Sequence, residues 1–432
     1  MVIHVVREGE TITSIAQMYQ ISVERLIKDN KLLDYENLVV GQTLVILYPN
    51  QVHTVQAGEN LTQIAQQYGV TTKELLQNNP SLTSRPYLYE GETLVISYIR
   101  EQGEERELAV NGYVYPFVER SVLVQALPYL TYLTLFTYGF QADGTLVEIE
   151  DEEMIALAKE YEVAPIMLIS TLTPDGTFSN ELAHQIFVNE EARNQLIENI
   201  VNQMKQRGYY GLDVDFEYIL PEDRESYIAF IQTLQERLSV EGFILITALA
   251  PKTSANQRGL LYEAHDYAGL GAVSDFVLVM TYEWGYTYGP PMAVSPLNKV
   301  REVIEYAVTE IPAQKIFQGI PNYGYRWTLP YIRGESKATS IGNQEAVQIA
   351  KRYGTSIQYD ERSASPFFYF TDKEGRANVV WFEDARSIQA KLRLNEEFDL
   401  YGISYWNLMR EFPQNWLVLI GMNRIQNVYQ TK

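Results

Sequence analysis

Hydrophobic positions along the chain follow two rhythms. In residues 3–30 apolar residues recur at helical spacing (Ile12, Ile15, Ala16, Tyr19), and residues 52–79 repeat the pattern (Leu61, Ile64, Ala65, Tyr68), so each stretch predicts a helix with one buried face. The two stretches align without a gap, placing His4 on His53, Gly9 on Gly58, Leu26 on Leu75 and Asn30 on Asn79. After one inserted residue VGQTLVI (40–46) meets EGETLVI (90–96), so each unit reads strand, helix, helix, strand. Thr11 or Thr13, and Asn60 or Thr62, are the expected N-caps. Residues 99–110 are charged and aperiodic and read as a connector. From Gly112 the rhythm changes to β-rich apolar runs alternating with amphipathic helical stretches, the pattern of repeated βα units and a parallel sheet.

The runs are 132–140, 164–171, 210–219, 244–251, 275–284, 315–325 and 400–408, with a further strand expected near 112–117. Seven or eight strands over this length suit a (β/α)8 barrel, in which chemistry sits at the C-terminal strand ends. Residues 327–381 break the alternation and predict a small α+β insertion between the seventh and eighth strands. The domains expected are therefore 1–48, 51–98, the 99–110 connector and a barrel over 111–432 carrying that insertion.

One run departs from ordinary strand composition. In GYYGLDVDFEY (208–218) the two-residue period puts Asp213, Asp215 and Glu217 on one face and Leu212, Val214 and Phe216 on the other. Acids are poor strand formers and crowded carboxylates repel. A solvated edge strand would be the bland explanation, but the apolar opposite face argues for a buried row of acids. Tyr138, Tyr282, Glu283, Asn322, Tyr323 and Trp406 fall at the ends of other runs, although a lone Tyr or Trp there is more often packing.

Composition removes competing chemistries. The chain of 432 residues carries a formal charge of −21, against nucleic acid and anionic membrane surfaces as partners and compatible with neutral glycans. It has no cysteine and four histidines, no GxSxG, no HExxH and only an incomplete glycine fingerprint at 269–271, so no cofactor or metal is expected. No run approaches a membrane span, and the N-terminus lacks the apolar core of a signal peptide. Carboxylate catalysis remains: neighbours that cannot all ionise leave one acid protonated, as glycoside cleavage requires.

Two resemblances attach to these motifs. The repeats resemble LysM modules, which bind N-acetylglucosamine-containing glycans such as peptidoglycan and chitin. That resemblance implies a sugar groove flanked by Gly9, Glu10, Thr11, Ile12 and Asn30 in one unit, and by Gly58, Glu59, Asn60, Leu61, Asn79 and Pro80 in the other. The two asparagines read equally well as helix C-caps. Tandem modules would add avidity.

GLDVDFE resembles the DxxDxDxE signature of glycoside hydrolase family 18, and MTYEW, GIPNYGY and GISYWNL resemble its later strands. The resemblance implies a retaining, substrate-assisted reaction. Glu217 is then the acid, Asp215 orients the substrate acetamido group, Asp213 modulates Asp215, Tyr282 bonds the acetamido group and Trp406 forms the sugar floor. Tyr138, Glu283, Asn322 and Tyr323 are further candidate substrate contacts. The sequence departs from the family at Tyr210, where the first Asp would stand, and at Glu283, where the family has Asp. LysM pairs ahead of such a barrel resemble the spore cortex-lytic N-acetylglucosaminidases and sporulation glycosylases, which implies peptidoglycan as partner and a place in the spore coat, cortex or cell envelope. A chitinase and a non-hydrolytic glycan binder are the alternatives.

Overall fold

Each N-terminal repeat closes a two-stranded antiparallel sheet over two short helices. In the first, Val2–Val5 pairs with Thr43–Ile46 beside helices Ile12–Met18 and Val23–Asp29; in the second, Pro49–Thr54 pairs with Thr93–Tyr98 beside Leu61–Tyr68 and Thr72–Asn78. Thr11 and Asn60 are the N-caps, accepting from the Ser14 and Gln63 amides at 3.1 and 3.0 Å. This computed structural model describes all residues except 33, 86, 100–105, 175 and 430–432.

Among the described residues eight parallel strands close into a barrel: β1 (Glu107–Val114), β2 (Tyr132–Phe140), β3 (Ala164–Ser170), β4 (Gly211–Asp215), β5 (Ile244–Leu249), β6 (Phe276–Val279), β7 (Ile316–Pro321) and β8 (Gly402–Trp406). β8 pairs with β1 and β1 with β2, so the barrel sheet has no free edge. The first strand begins inside the stretch expected as a connector: Leu108 and Val110 are fully buried, and alternation too short to show in the charged sequence places them against the helices. The remainder of that connector, 100–105, lies outside the described residues.

The helices cover the barrel because their apolar faces match its outer surface. In Glu190–Arg207 the buried face is Leu196, Ile197, Ile200, Val201 and Met204, the first turn is acidic and the last basic, in keeping with the helix dipole. Helix Arg224–Glu241 turns Tyr227, Phe230, Ile231 and Leu234 inward. Leu212, Val214 and Phe216 of the acid-rich run join this outer core, while Tyr113, Phe136, Ile166, Leu168 and Leu278 fill the barrel interior.

The insertion is a five-stranded antiparallel sheet with helix Asn343–Arg352 and starts three residues earlier than expected, at Gly324–Thr328. Its first strand follows β7 after only two residues and pairs with Ala377–Trp381, which the single run 315–325 concealed. The first repeat docks here: Val39 enters the apolar core of the insertion, and the Ile357 amide donates to the Val40 carbonyl at 2.8 Å. Gly41 (φ +87°) sits so close that a Cβ there would lie 1.9 Å from the Ile357 carbonyl oxygen.

Candidate active site

The cleft is built at the C-terminal ends of the strands. Asp213 and Asp215 lie on β4, and Glu217 follows two residues past its end, half-buried, just before Tyr218 (φ +58°). Asp213 is fully buried and accepts a hydrogen bond from Tyr113 of β1 at 2.5 Å; among the described residues its other oxygen, and Oδ1 of Asp215, have no hydrogen-bond partner. Ionising either acid in this setting forfeits hydration that is only partly replaced, for Asp213 by the Tyr113 hydroxyl.

The titration of the row follows from that burial. Burial pushes Asp215 up to about 7. Burial also holds Asp213 well above the usual carboxylate range, against the Tyr113 hydrogen bond and with help from the Asp215 charge. Glu217 is raised well above its ordinary value by burial first, then by the charges of Asp215 and Glu283. A carboxyl so held is protonated near neutral pH and can donate to a leaving oxygen.

The walls are aromatic. Trp406, at the end of β8, stands over the edges of Phe136, Tyr113 and Tyr115, with ring centroids at 4.9, 5.5 and 6.0 Å. Tyr282 is 9 % exposed, and burial, then the charges of Asp215, Glu217, Asp213 and Glu283, keep its hydroxyl protonated. Glu283 adopts a left-handed backbone (φ +66°), uncommon for a side chain of its kind, and takes hydrogen bonds from Tyr323 and, at 3.1 Å, Tyr325. Behind the acids, His265 accepts from the Ala250 amide at 2.9 Å and donates from Nε2 to the Phe216 carbonyl at 3.1 Å, fixing the backbone that carries Glu217. Burial lowers His265 to about 4, so it stays neutral in that tautomer.

Several expected contacts take other roles. Tyr138 points outward, fully buried, with its hydroxyl on Asp151. Strict alternation would have put it in the lumen, but the register of β2 shifts between Leu135 and Tyr138 and leaves Phe136 as the inward aromatic. Asn322 is 4 % exposed and donates to the carbonyls of Asn407 and Arg410 at 3.0 and 2.9 Å, tying down the loop after β8 rather than meeting substrate. Asn30 and Asn79, which read equally well as helix C-caps, are each buried, donate to a helix carbonyl and to Val45 or Val95, and accept from that valine's amide.

The first loop of each LysM-like unit is also braced internally. Glu10 accepts from His4 and the Arg7 amide, and Glu59 from His53 and the Gln56 amide, while Ile12 is in the core. Gly9 and Gly58 (φ +78° and +83°) make the turns. Leu61 stays half-buried at a groove, and Pro80 lies toward the barrel beside Lys31, which pairs with Glu411 at 2.8 Å.

Tyr113, Tyr115, Phe136, Tyr325 and His265 escaped the sequence reading. A signal existed for two of them, since Tyr113 and Tyr115 alternate in GYVYPF, the stretch marked only as a possible strand. Among the described residues no group of three or more His, Asp or Glu is placed to hold a metal, and no helix is long and apolar enough to cross a membrane.

A closed (β/α)8 barrel with protonatable acids beside an aromatic floor defines a carboxylate-dependent glycoside hydrolase. The chain belongs to glycosyl hydrolases family 18, whose model matches residues 95–411, and it carries two LysM domains at 4–47 and 53–97. It is 45% identical over 97% of both chains to a cortical fragment-lytic enzyme of Bacillus subtilis. It is 39% identical over 96% of both to the enzyme so named in Bacillus anthracis. Among solved structures it resembles the spore cortex-lytic enzyme SleL of Bacillus megaterium, with a TM-score of 0.84, 38% identity and 98% of each chain covered.

Proposed function

We propose that this glycoside hydrolase cleaves spore cortex peptidoglycan after N-acetylglucosamine, with retention and with the substrate's own acetamido group as nucleophile. The observation that carries the reading is the row itself: Asp213 and Asp215 buried on β4, Glu217 two residues beyond with burial and the charges of Asp215 and Glu283 raising its pKa, and Tyr113 joining Asp213 to the Trp406 ring.

In this mechanism Glu217 gives its proton to the glycosidic oxygen as the acetamido oxygen closes on the anomeric carbon. Asp215 takes the acetamido N–H, and its charge balances the cation that develops. Asp213, steadied by Tyr113, accommodates the charge of its neighbour, and Tyr282 bonds the acetamido group. Trp406 supports the apolar face of the ring. Water, deprotonated by Glu217, then opens the oxazolinium ring and restores the N-acetyl group with retained configuration.

Relatives that share nearly the whole chain are named for cortical fragments and spore cortex, which supports the same substrate here and a place in the spore coat, cortex or envelope. The LysM domains support binding of N-acetylglucosamine-containing glycan. The mechanism demands a free N-acetyl group on the sugar in the floor site. Borohydride reduction of digested peptidoglycan should therefore yield glucosaminitol ends; muramicitol ends would refute the reading.

A further inference from the structure

The two LysM domains diverge where one of them meets the side of the barrel. Lys73 and Gln77 of the second align with Glu24 and Lys28 of the first, which are exposed. Lys73 and Gln77 are only 7 % and 8 % exposed. The Lys73 ammonium donates to the carbonyls of Leu130 and Glu162 at 2.7 and 3.0 Å, and Gln77 to that of Pro128 at 2.8 Å. In return the Tyr129 hydroxyl donates to the Gln77 carbonyl at 2.8 Å. Four hydrogen bonds in a buried seam fix the two bodies, so the space beside the seam is preformed.

That space is a groove of about 880 Å³. Leu61, Leu76 and Thr83 of the second LysM domain form one wall, and Arg120, Ser121 and Tyr161 of the barrel side form the other. Half-buried leucine and tyrosine surfaces suit the apolar face of a pyranose, and the hydroxyls and guanidinium suit its hydroxyl and acetamido edges. Arg120 is 60 % exposed and its ion pair with Glu153 is at the surface, which leaves the guanidinium accessible to a ligand.

Arg120 also lines a second concavity with Pro116 and Val118. Between Pro116 and Val118 in the chain, Phe117 is 74 % exposed and stacks on Tyr115 at 5.2 Å. Tyr115 in turn lies with its ring centroid 6.0 Å from that of Trp406.

We propose that the second LysM domain and the barrel side form one composite glycan site, in which Arg120, Ser121 and Tyr161 contact the N-acetylglucosamine units that the LysM wall holds. This rests on the reading of the substrate as an N-acetylglucosamine glycan. The first LysM domain has Glu24 in place of Lys73 and meets a different part of the chain, through Val39 in the core of the insertion and Lys31 paired with Glu411 after β8. The two domains are then unequal, and the second presents glycan in a fixed orientation to the catalytic barrel.

The test uses the full chain carrying Glu217→Gln, so that binding is read without hydrolysis, and sedimentation with insoluble purified peptidoglycan as probe. Arg120→Ala with Tyr161→Ala, and separately Ser121→Trp to fill the groove from an exposed helix position, should each weaken binding about tenfold, with the thermal midpoint unchanged. Thr72→Trp, which blocks the LysM wall, should do the same. Unchanged binding in the barrel-side variants overturns the proposal, as does loss in Thr72→Trp alone. Failure of the parent chain to hydrolyse peptidoglycan would instead count against the proposed function, since sedimentation does not depend on cleavage.

Discussion

Asp215→Asn should stabilise the protein at neutral and alkaline pH while abolishing its activity. Asp215 is 7 % exposed, one of its oxygens has no hydrogen-bond partner among the described residues, and burial raises it from 3.8 to about 7. The folded state thus binds this proton more tightly than the unfolded chain, and stability present at low pH is lost as pH climbs from the unfolded to the folded value. The gap between those two values, at about 1.4 kcal/mol per pKa unit, amounts to roughly 4 kcal/mol as an order of magnitude. Asparagine keeps the shape and never ionises. Denaturant unfolding across pH reads the effect: at about pH 8 the variant should exceed wild type by about 2–4 kcal/mol, and below about pH 4 the curves should meet. A gap of equal size at both pH values, or a variant less stable at high pH, would refute the account of a buried, undercompensated acid.

Three further substitutions probe the supporting structure. Tyr113→Phe removes the single hydrogen bond to Asp213 and should lower kcat about tenfold with KM nearly unchanged, read in steady-state kinetics; an equal rise in KM would place Tyr113 in ground-state binding instead. Asn79→Ala strips partners from both the amide and the carbonyl of Val95 and should cost about 1–3 kcal/mol within the second LysM domain, seen as faster amide exchange there. Gly41→Ala drives a Cβ into the Ile357 carbonyl, 1.9 Å away, and should release the first LysM domain from the insertion; unchanged amide exchange of Ile357 would contradict that contact.

The sequence carried most of the barrel because strands such as β2, β3 and β5 lie in apolar runs alternating with helices of one buried face, signals that need no tertiary information. It carried the acid row for the same reason: Leu212, Val214 and Phe216 are buried on one side and Asp213 and Asp215 on the other. Where it went astray, one local break was enough. The irregularity in β2 reverses the alternation beyond Phe136, so Phe136 keeps its inward place in step with Tyr132 while Tyr138 leaves the lumen. Asn30 and Asn79 illustrate a different limit, since an asparagine after a helix serves a sugar or its own backbone equally well until the partner valine is in place. The role of His265 depends on two backbone groups from different strands, Ala250 and Phe216, which periodicity does not bring together. The seam at Lys73 was present as a departure from the repeat, but its meaning required the Leu130 and Glu162 carbonyls opposite it.

Mass spectrometry of spore peptidoglycan digested in parallel by wild type and Glu217→Gln tests the central claim most directly. Glu217 lies past the end of β4 as the raised acid of the cleft, so wild type should release fragments ending in N-acetylglucosamine and the variant essentially none. Undiminished release by Glu217→Gln would remove the assigned acid, and no release by wild type would leave a glycan-binding protein in place of an enzyme.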